Sequence, residues 1–381
     1  MIYLDSAATT LQKPPSVLRS VLYHGQRAAN PGRGGYAQAL YASQVVYRCR
    51  TQAAQLFDAV DEGHVVMTSN ATHGLNIAIR SLVKPGDTVV VSGYEHNAVT
   101  RTLAAIPEVT VRVASGPLFA PRELLDAFRR QLPGADVAVC THVSNVFGYI
   151  LPIGEIAALC HRYGVPLVVD AAQSAGTLPV ETEGWGAQYV AMPGHKGLYG
   201  PQGTGLLICG KDASPQPVLY GGTGSESQNQ AMPDFLPDRL EAGTQNVCGI
   251  AGLNEGLRFV RERGTAAIAA HEQRLTRLLA RLLRERCGEL VTVFAGEGQS
   301  GVLSFCPNGA DCEAFAAALA DRGFAVRAGL HCAPLAHQTA GTLETGTVRA
   351  SFSAFNREEE VRAFADAVCG ELRTAGTGVS G

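Results

Sequence analysis

Nowhere does the 381-residue sequence hold an uninterrupted apolar run of about 18 residues, so no membrane-spanning helix is predicted. The opening Met1-Ile2-Tyr3-Leu4-Asp5-Ser6 has neither a basic start nor a long apolar segment. A secretory signal is therefore not expected, and a cytoplasmic location is. Charge is sparse, at 17% of residues with a net charge of −3, which disfavours a nucleic-acid partner. None of the ten cysteines forms C-x-x-C and no Cys/His grouping has zinc spacing, so no metal site is predicted. Internal repeats and low-complexity blocks are also missing.

What is present is a large apolar fraction, 46%, enough for a substantial core and for two lobes. Apolar strand-like runs alternate with helix-like segments through the middle of the chain: 65–68, 87–92, 109–113, 137–142, 165–170 and 205–209, with helices near 72–83, 121–132 and 154–163. That alternation predicts an α/β domain with a mainly parallel sheet flanked by helices. A long helical stretch begins near Gly249 and continues, broken at Gly264, to about Cys287. Strands near 291–294, 301–306, 324–327 and 347–352, with helices near 311–322 and 357–373, then predict a smaller α+β C-terminal domain. The expected division is an N-terminal segment (1–15) packing with the small domain, a large domain (16–248), a small domain (249–373) and a disordered tail (374–381).

The chemistry centres on Lys196, which follows a strand within Pro193-Gly194-His195-Lys196-Gly197. Asp170 ends the strand Val165–Asp170. A lysine and a strand-end acid in this order fit a site for pyridoxal phosphate (PLP): the lysine as Schiff-base partner, the acid facing the pyridinium nitrogen. By residue type alone, Lys196 reads equally as a surface lysine and Asp170 as a helix N-cap. Gln173 lies three residues beyond Asp170, within reach of the ring's O3′. Thr68–Gly74, with Ala71 and Thr72, joins a strand to a helix start. This is an anion site or an ordinary cap. His96 follows another strand and is placed either to stack on a flat cofactor or to make a structural contact. Gly221–Ser225 is glycine-rich. Cys332 lies in a loop beside His331, where it is an accessible nucleophile or a packed thiol. The other nine cysteines read as buried small apolar residues. Arg349, within a strand, is a carboxylate clamp or a surface residue.

In order, these segments resemble the cysteine desulfurase and selenocysteine lyase family of class V, fold-type I PLP enzymes. The likeness runs over nearly the whole chain. It rests on Tyr3-Leu4-Asp5-Ser6-Ala7-Ala8-Thr9, Glu95-His96, His142-Val143-Ser144-Asn145-Val146-Phe147-Gly148, Asp170-Ala171-Ala172-Gln173, Gly194-His195-Lys196, Glu241-Ala242-Gly243-Thr244 and Arg327-Ala328-Gly329-Leu330-His331-Cys332. The resemblance implies Lys196, Cys332 and His96 as catalytic residues. It implies PLP contacts from Ala71, Thr72, His96, Asn145, Asp170, Gln173, His195, Lys196 and Thr223. It implies substrate contacts from Arg349, Asn145 and Arg327. The implied reaction converts L-cysteine to L-alanine and leaves a persulfide on Cys332 for an acceptor protein; L-selenocysteine lysis is the alternative. A homodimer with shared active sites is also implied, with the Gly221–Ser225 loop reaching the partner's cofactor phosphate. The sequence departs from the family pattern at Pro193, where a serine hydroxyl usually helps to hold the phosphate, and at Gly197, an extra glycine after the lysine.

Overall fold

The computed structural model describes residues 1–32 and 34–377. In chain order the elements are β1 (Ile2–Tyr3), α1 (Pro15–Gly25), α2 (Ala37–Leu56), β2 (Val65–Thr68), α3 (Ala71–Leu82), β3 (Thr88–Ser92), α4 (Asn97–Ala104), β4 (Thr110–Ala114), α5 (Pro121–Gln131), β5 (Val137–Thr141), α6 (Ile153–Tyr163), β6 (Leu167–Asp170), β7 (Tyr189–Pro193) and β8 (Gly205–Cys209). They continue with α7 (Val247–Arg263), α8 (Thr265–Cys287), β9 (Val291–Phe294), β10 (Val302–Pro307), α9 (Cys312–Asp321), β11 (Phe324–Ala325), β12 (Arg327–Gly329), α10 (Pro334–Ala340), β13 (Thr347–Ser351) and α11 (Glu358–Thr377).

Seven strands form the large sheet in the order β2-β8-β7-β6-β5-β3-β4, and β8 alone runs against the rest. Strands such as β5, β6, β7 and β8 are buried along their whole length, as continuous apolar runs covered by helices on both faces must be. The mainly parallel α/β reading therefore holds. Thr68, Ser92, Thr141, Asp170 and Pro193 all stand at the carboxyl ends of their strands, the edge where such sheets bind ligands.

A second, antiparallel sheet, β12-β13-β10-β9, packs with α8, α9 and α11 around Leu275, Leu279, Leu303, Phe305, Val348 and Phe364. β1 pairs in parallel with β11, and Leu4 is buried in this same core. Helix α7 behaves differently: Val247, Ile250, Leu253 and Leu257 belong to the large core beside α2 residues. At Gly264 a φ of 83° separates α7 from α8. α11 continues to Thr377, into the predicted tail, and residues 378–381 lie outside the described residues. Two of the nine cysteines read as packed thiols, Cys287 and Cys369, are instead joined as a disulfide between the end of α8 and α11.

Candidate active site

Lys196, Asp170, His96 and Asn145 line one cavity of about 100 Å³ at the carboxyl edge of the large sheet. Asn70, Ala71, Thr72, Gln173, Pro193 and His195 also line it. Nearly every residue expected to touch a cofactor is thus brought together by strand ends. Thr223 is the exception. It lies in a separate surface cavity beside Arg50, Glu241 and Thr244.

Asp170 is 3% exposed. One carboxylate oxygen accepts the Ala172 N–H at 2.8 Å. Burial raises its pKa, while the Lys196 charge opposes that shift. For Lys196, burial pulls the ammonium down to about 8, with Asp170 pulling the other way. The two attract each other without forming an ion pair among the described residues, and both line the cavity.

His96 caps α4. Its Nδ1 accepts the Ala98 N–H at 3.0 Å, so the neutral ring carries its proton on Nε2. Burial, then Lys196 and nearby arginines, hold its pKa down to about 4, which keeps it neutral at physiological pH. His195 is likewise lowered to about 4 by burial and by Lys196, and its Nδ1 meets Thr9 Oγ1 at 3.0 Å. At the start of α3, Asn70 accepts the His73 N–H at 2.8 Å, while the N–H groups of the first helical residues, Ala71 and Thr72, have no intrahelical acceptor. The donors of the α3 first turn, the buried Asp170 carboxylate and the unpartnered Asn145 Oδ1 fit a phosphorylated, protonated pyridine.

The Cys332 loop is fixed to this cavity from outside. Asn97 N–H donates to the Cys332 carbonyl at 2.8 Å, and Asn145 Nδ2 to the His331 carbonyl at 2.8 Å. His331 and Cys332 both take left-handed backbone angles, φ 50° and 57°, which non-glycine residues rarely hold unless the surroundings impose them. The Cys332 thiol is exposed, and Arg327 Nη2 lies 4.0 Å from its sulfur. Arg349 is 1% exposed. Its Nη1 donates to the Asn145 carbonyl at 2.9 Å and its Nη2 to Asp5 at 2.7 Å, while Nε is buried without a partner.

Other residues of the resemblance carry the frame. Glu95 is fully buried and holds β3 to β5 by accepting from Ser92 Oγ and from Thr141 N–H. Glu241 accepts the Met67 N–H at 2.6 Å and pairs with Arg50, tying the segment before α7 to β2. Gly197 has a steric reason: a Cβ there would meet the Ala175 carbonyl oxygen at 2.4 Å. Tyr199, Ser300 and Glu272, on the far side of Lys196, were not anticipated. For Glu272 a signal existed, since it interrupts the apolar stripe Ile268, Leu275, Leu279 at helical spacing on α8.

The aminotransferase class-V family model matches residues 2–364. A probable cysteine desulfurase of Methanothermobacter thermautotrophicus is 33% identical over 376 residues, covering 95% of this chain and 92% of the relative. One from Vibrio cholerae is 32% identical and covers 95% and 91%. The apo structure of a cysteine desulfurase from Thermococcus onnurineus matches with a TM-score of 0.88 at 29% identity, covering 98% of this chain and 95% of that one. The Escherichia coli cysteine desulfurase CsdA matches with a TM-score of 0.84 at 28% identity, covering 98% and 94%.

Proposed function

The chain belongs to the aminotransferase class-V family, and from that premise we propose that it is a PLP-dependent cysteine desulfurase, converting L-cysteine to L-alanine and leaving a persulfide on Cys332. The observation that carries this reading is the exposed Cys332 thiol on a strained loop clamped to the two cavity walls that bear His96 and Asn145. When bound, PLP supplies an electron sink for the pair left at Cα once its proton is removed.

The residues divide the remaining work. Lys196, lowered towards neutrality, holds the cofactor and moves the Cα proton. Asp170 would accept from the ring nitrogen of bound PLP, and Gln173 lines the same cavity. Ala71, Thr72 and His195 hold the phosphate, joined by Thr223 of a second copy. Neutral His96, on the cavity wall, would face bound PLP with its Nε2 proton available to donate. Arg349, through its free Nε, and Arg327 hold the substrate carboxylate, and Asn145 orients the bound substrate. The Cys332 thiolate attacks the substrate sulfur. An S–S bond forms as the Cβ–S bond breaks, and the carbon skeleton takes up protons and leaves as alanine. An acceptor protein thiol then removes the sulfur.

A homodimer fits the exposed Leu18, Leu22 and Tyr23 of α1 and Leu40 and Tyr47 of α2, which present apolar area to a second copy. Among the described residues no helix is long and apolar enough to cross a membrane.

The test is to incubate PLP-loaded protein with L-cysteine, and separately with L-selenocysteine, measuring alanine and mapping Cys332 by mass spectrometry. Alanine with a Cys332 persulfide from L-cysteine is the expected result. Alanine no higher than in Lys196→Ala would sink the reading. Alanine from L-selenocysteine alone would move it to selenocysteine lysis.

A further inference from the structure

A neutral histidine donates through one ring nitrogen only, and the partner of the other nitrogen sets which one. His195 lines the cofactor cavity. Burial, then the charges of Lys196 and Lys13, hold its pKa down to about 4, so the ring is neutral at physiological pH. Its Nδ1 meets Thr9 Oγ1 at 3.0 Å. Among the described residues Nε2 makes no hydrogen bond. The direction of the Nδ1 contact therefore decides what Nε2 presents. It is an N–H if Thr9 donates and a bare lone pair if Thr9 accepts.

The residues around Thr9 set that direction. Its hydroxyl has a single proton and two acceptors in reach, His195 Nδ1 at 3.0 Å and the His195 main-chain carbonyl at 3.2 Å. The carbonyl is already served: it accepts the Thr10 N–H at 3.1 Å and the Thr10 hydroxyl at 3.0 Å, one for each lone pair. Lys13 Nζ donates to the Thr10 hydroxyl at 3.2 Å and to the Thr10 carbonyl at 3.0 Å. The Thr10 hydroxyl proton is thereby left for the carbonyls of His195 and Lys196, the latter at 3.2 Å. Nδ1 is thus the nearer and less occupied acceptor for Thr9. Thr9 is itself held in place, since Tyr3 OH donates to its carbonyl at 2.8 Å and its N–H donates to the Asp5 carbonyl at 3.4 Å.

We propose that Thr9 is a positioning residue for the cofactor phosphate: its hydroxyl donates to His195 Nδ1, so that Nε2 keeps its proton and offers it to the phosphate. The inference rests on the reading that His195 helps to hold that phosphate. The arrangement moves no proton and creates no charge. It gives the phosphate a charge-assisted N–H donor, the strong kind of hydrogen bond, where the opposite tautomer would turn a lone pair towards an anion. It also bears on Pro193, which offers the phosphate neither hydroxyl nor N–H. A hydroxyl 186 positions away from His195 in sequence acts through the imidazole instead.

Two measurements test this. The first is nitrogen NMR of PLP-loaded protein carrying isotopically labelled histidine. The His195 signals are identified among those of the ten histidines by their loss in His195→Ala. An unprotonated Nδ1 with a protonated Nε2 is expected. A protonated Nδ1, alone or together with Nε2, overturns the proposal. The second compares absorbance titrations of cofactor-stripped protein with PLP and with pyridoxal, which lacks the phosphate. Thr9→Val is expected to weaken PLP binding roughly 5- to 10-fold and to leave pyridoxal binding in place, while Thr9→Ser restores PLP binding. A merely structural loss would weaken both ligands alike. That result, or unchanged PLP binding in Thr9→Val, overturns the proposal and leaves the His195 reading intact so long as His195→Ala weakens PLP binding. Unchanged PLP binding in His195→Ala overturns both. If Thr9→Val does not fold, the NMR result on the wild type decides.

Discussion

The side-chain amide of Asn145 donates to the main-chain carbonyl of His331 at 2.8 Å, across 186 positions of sequence. One residue therefore faces the cofactor cavity and also anchors the loop that carries Cys332. Arg349 Nη1 donates to the Asn145 carbonyl from the other side, so the Cys332 loop, the cavity wall and Arg349 meet at Asn145. In Asn145→Ala the buried His331 carbonyl loses its partner, at a cost of about 1–3 kcal/mol. The expected outcome is a lower thermal midpoint and a fall in persulfide formation greater than the fall in L-alanine Cα exchange. Equal losses in both would mean that Asn145 serves only the cofactor.

Much of this site was legible because each motif is local: a strand end and the few residues after it. Lys196, Asp170, His96, Thr72 and Asn145 converge once the parallel sheet is granted, since parallel strands put their carboxyl ends on one edge. What was hidden depended on contacts remote in sequence. α2 buries Ala39, Ala42, Cys49 and Ala53, small residues that leave little apolar periodicity to read. α7 reads as the start of the C-terminal helices, yet it packs against α1 and α2 and against the Leu198–Pro201 segment, remote in sequence. The Cys287–Cys369 bond spans 82 positions, and no spacing rule predicts it.

Arg349→Lys tests the clamp. Lysine keeps a charge for Asp5 but loses the planar fork whose Nε is free. Losing a charge-assisted hydrogen bond of about 1.5–3 kcal/mol predicts a roughly 10- to 150-fold rise in KM for L-cysteine. The visible absorbance of bound PLP should be retained. Unchanged KM would assign the carboxylate to Arg327.

Glu95 gives a pH prediction for stability. Burial raises its carboxyl from 4.5 to about 8, so the folded chain holds a proton there that the unfolded chain has released. Stability is therefore lost as pH rises through that window, at about 1.4 kcal/mol per unit of raised pKa. Glu95→Gln cannot ionise and should show a flatter decline of Tm between pH 4.5 and about 8 than the wild type. Glu272, raised in the same direction, leaves part of the slope in place. Parallel Tm curves for the two proteins would mean that Glu95 stays charged when folded.

Pro193 closes β7 opposite Gly205 and forms part of the cofactor cavity wall, two residues before His195. It offers neither hydroxyl nor N–H to a phosphate. The neighbouring Gly194 N–H is spent on the Thr204 carbonyl at 2.8 Å. Pro193→Ser adds both donors on an extended strand that serine readily adopts. A new hydrogen bond to the phosphate, worth about 1 kcal/mol, predicts roughly 5-fold tighter PLP binding in absorbance titration. Loss of the proline ring frees the unfolded chain, so the apo-protein should be less stable by about 0.4–1 kcal/mol. Tighter holo binding with a weaker apo fold would identify Pro193 as a place where rigidity has replaced a phosphate contact. Unchanged or weaker binding would mean that Ala71, Thr72 and His195 already saturate the phosphate.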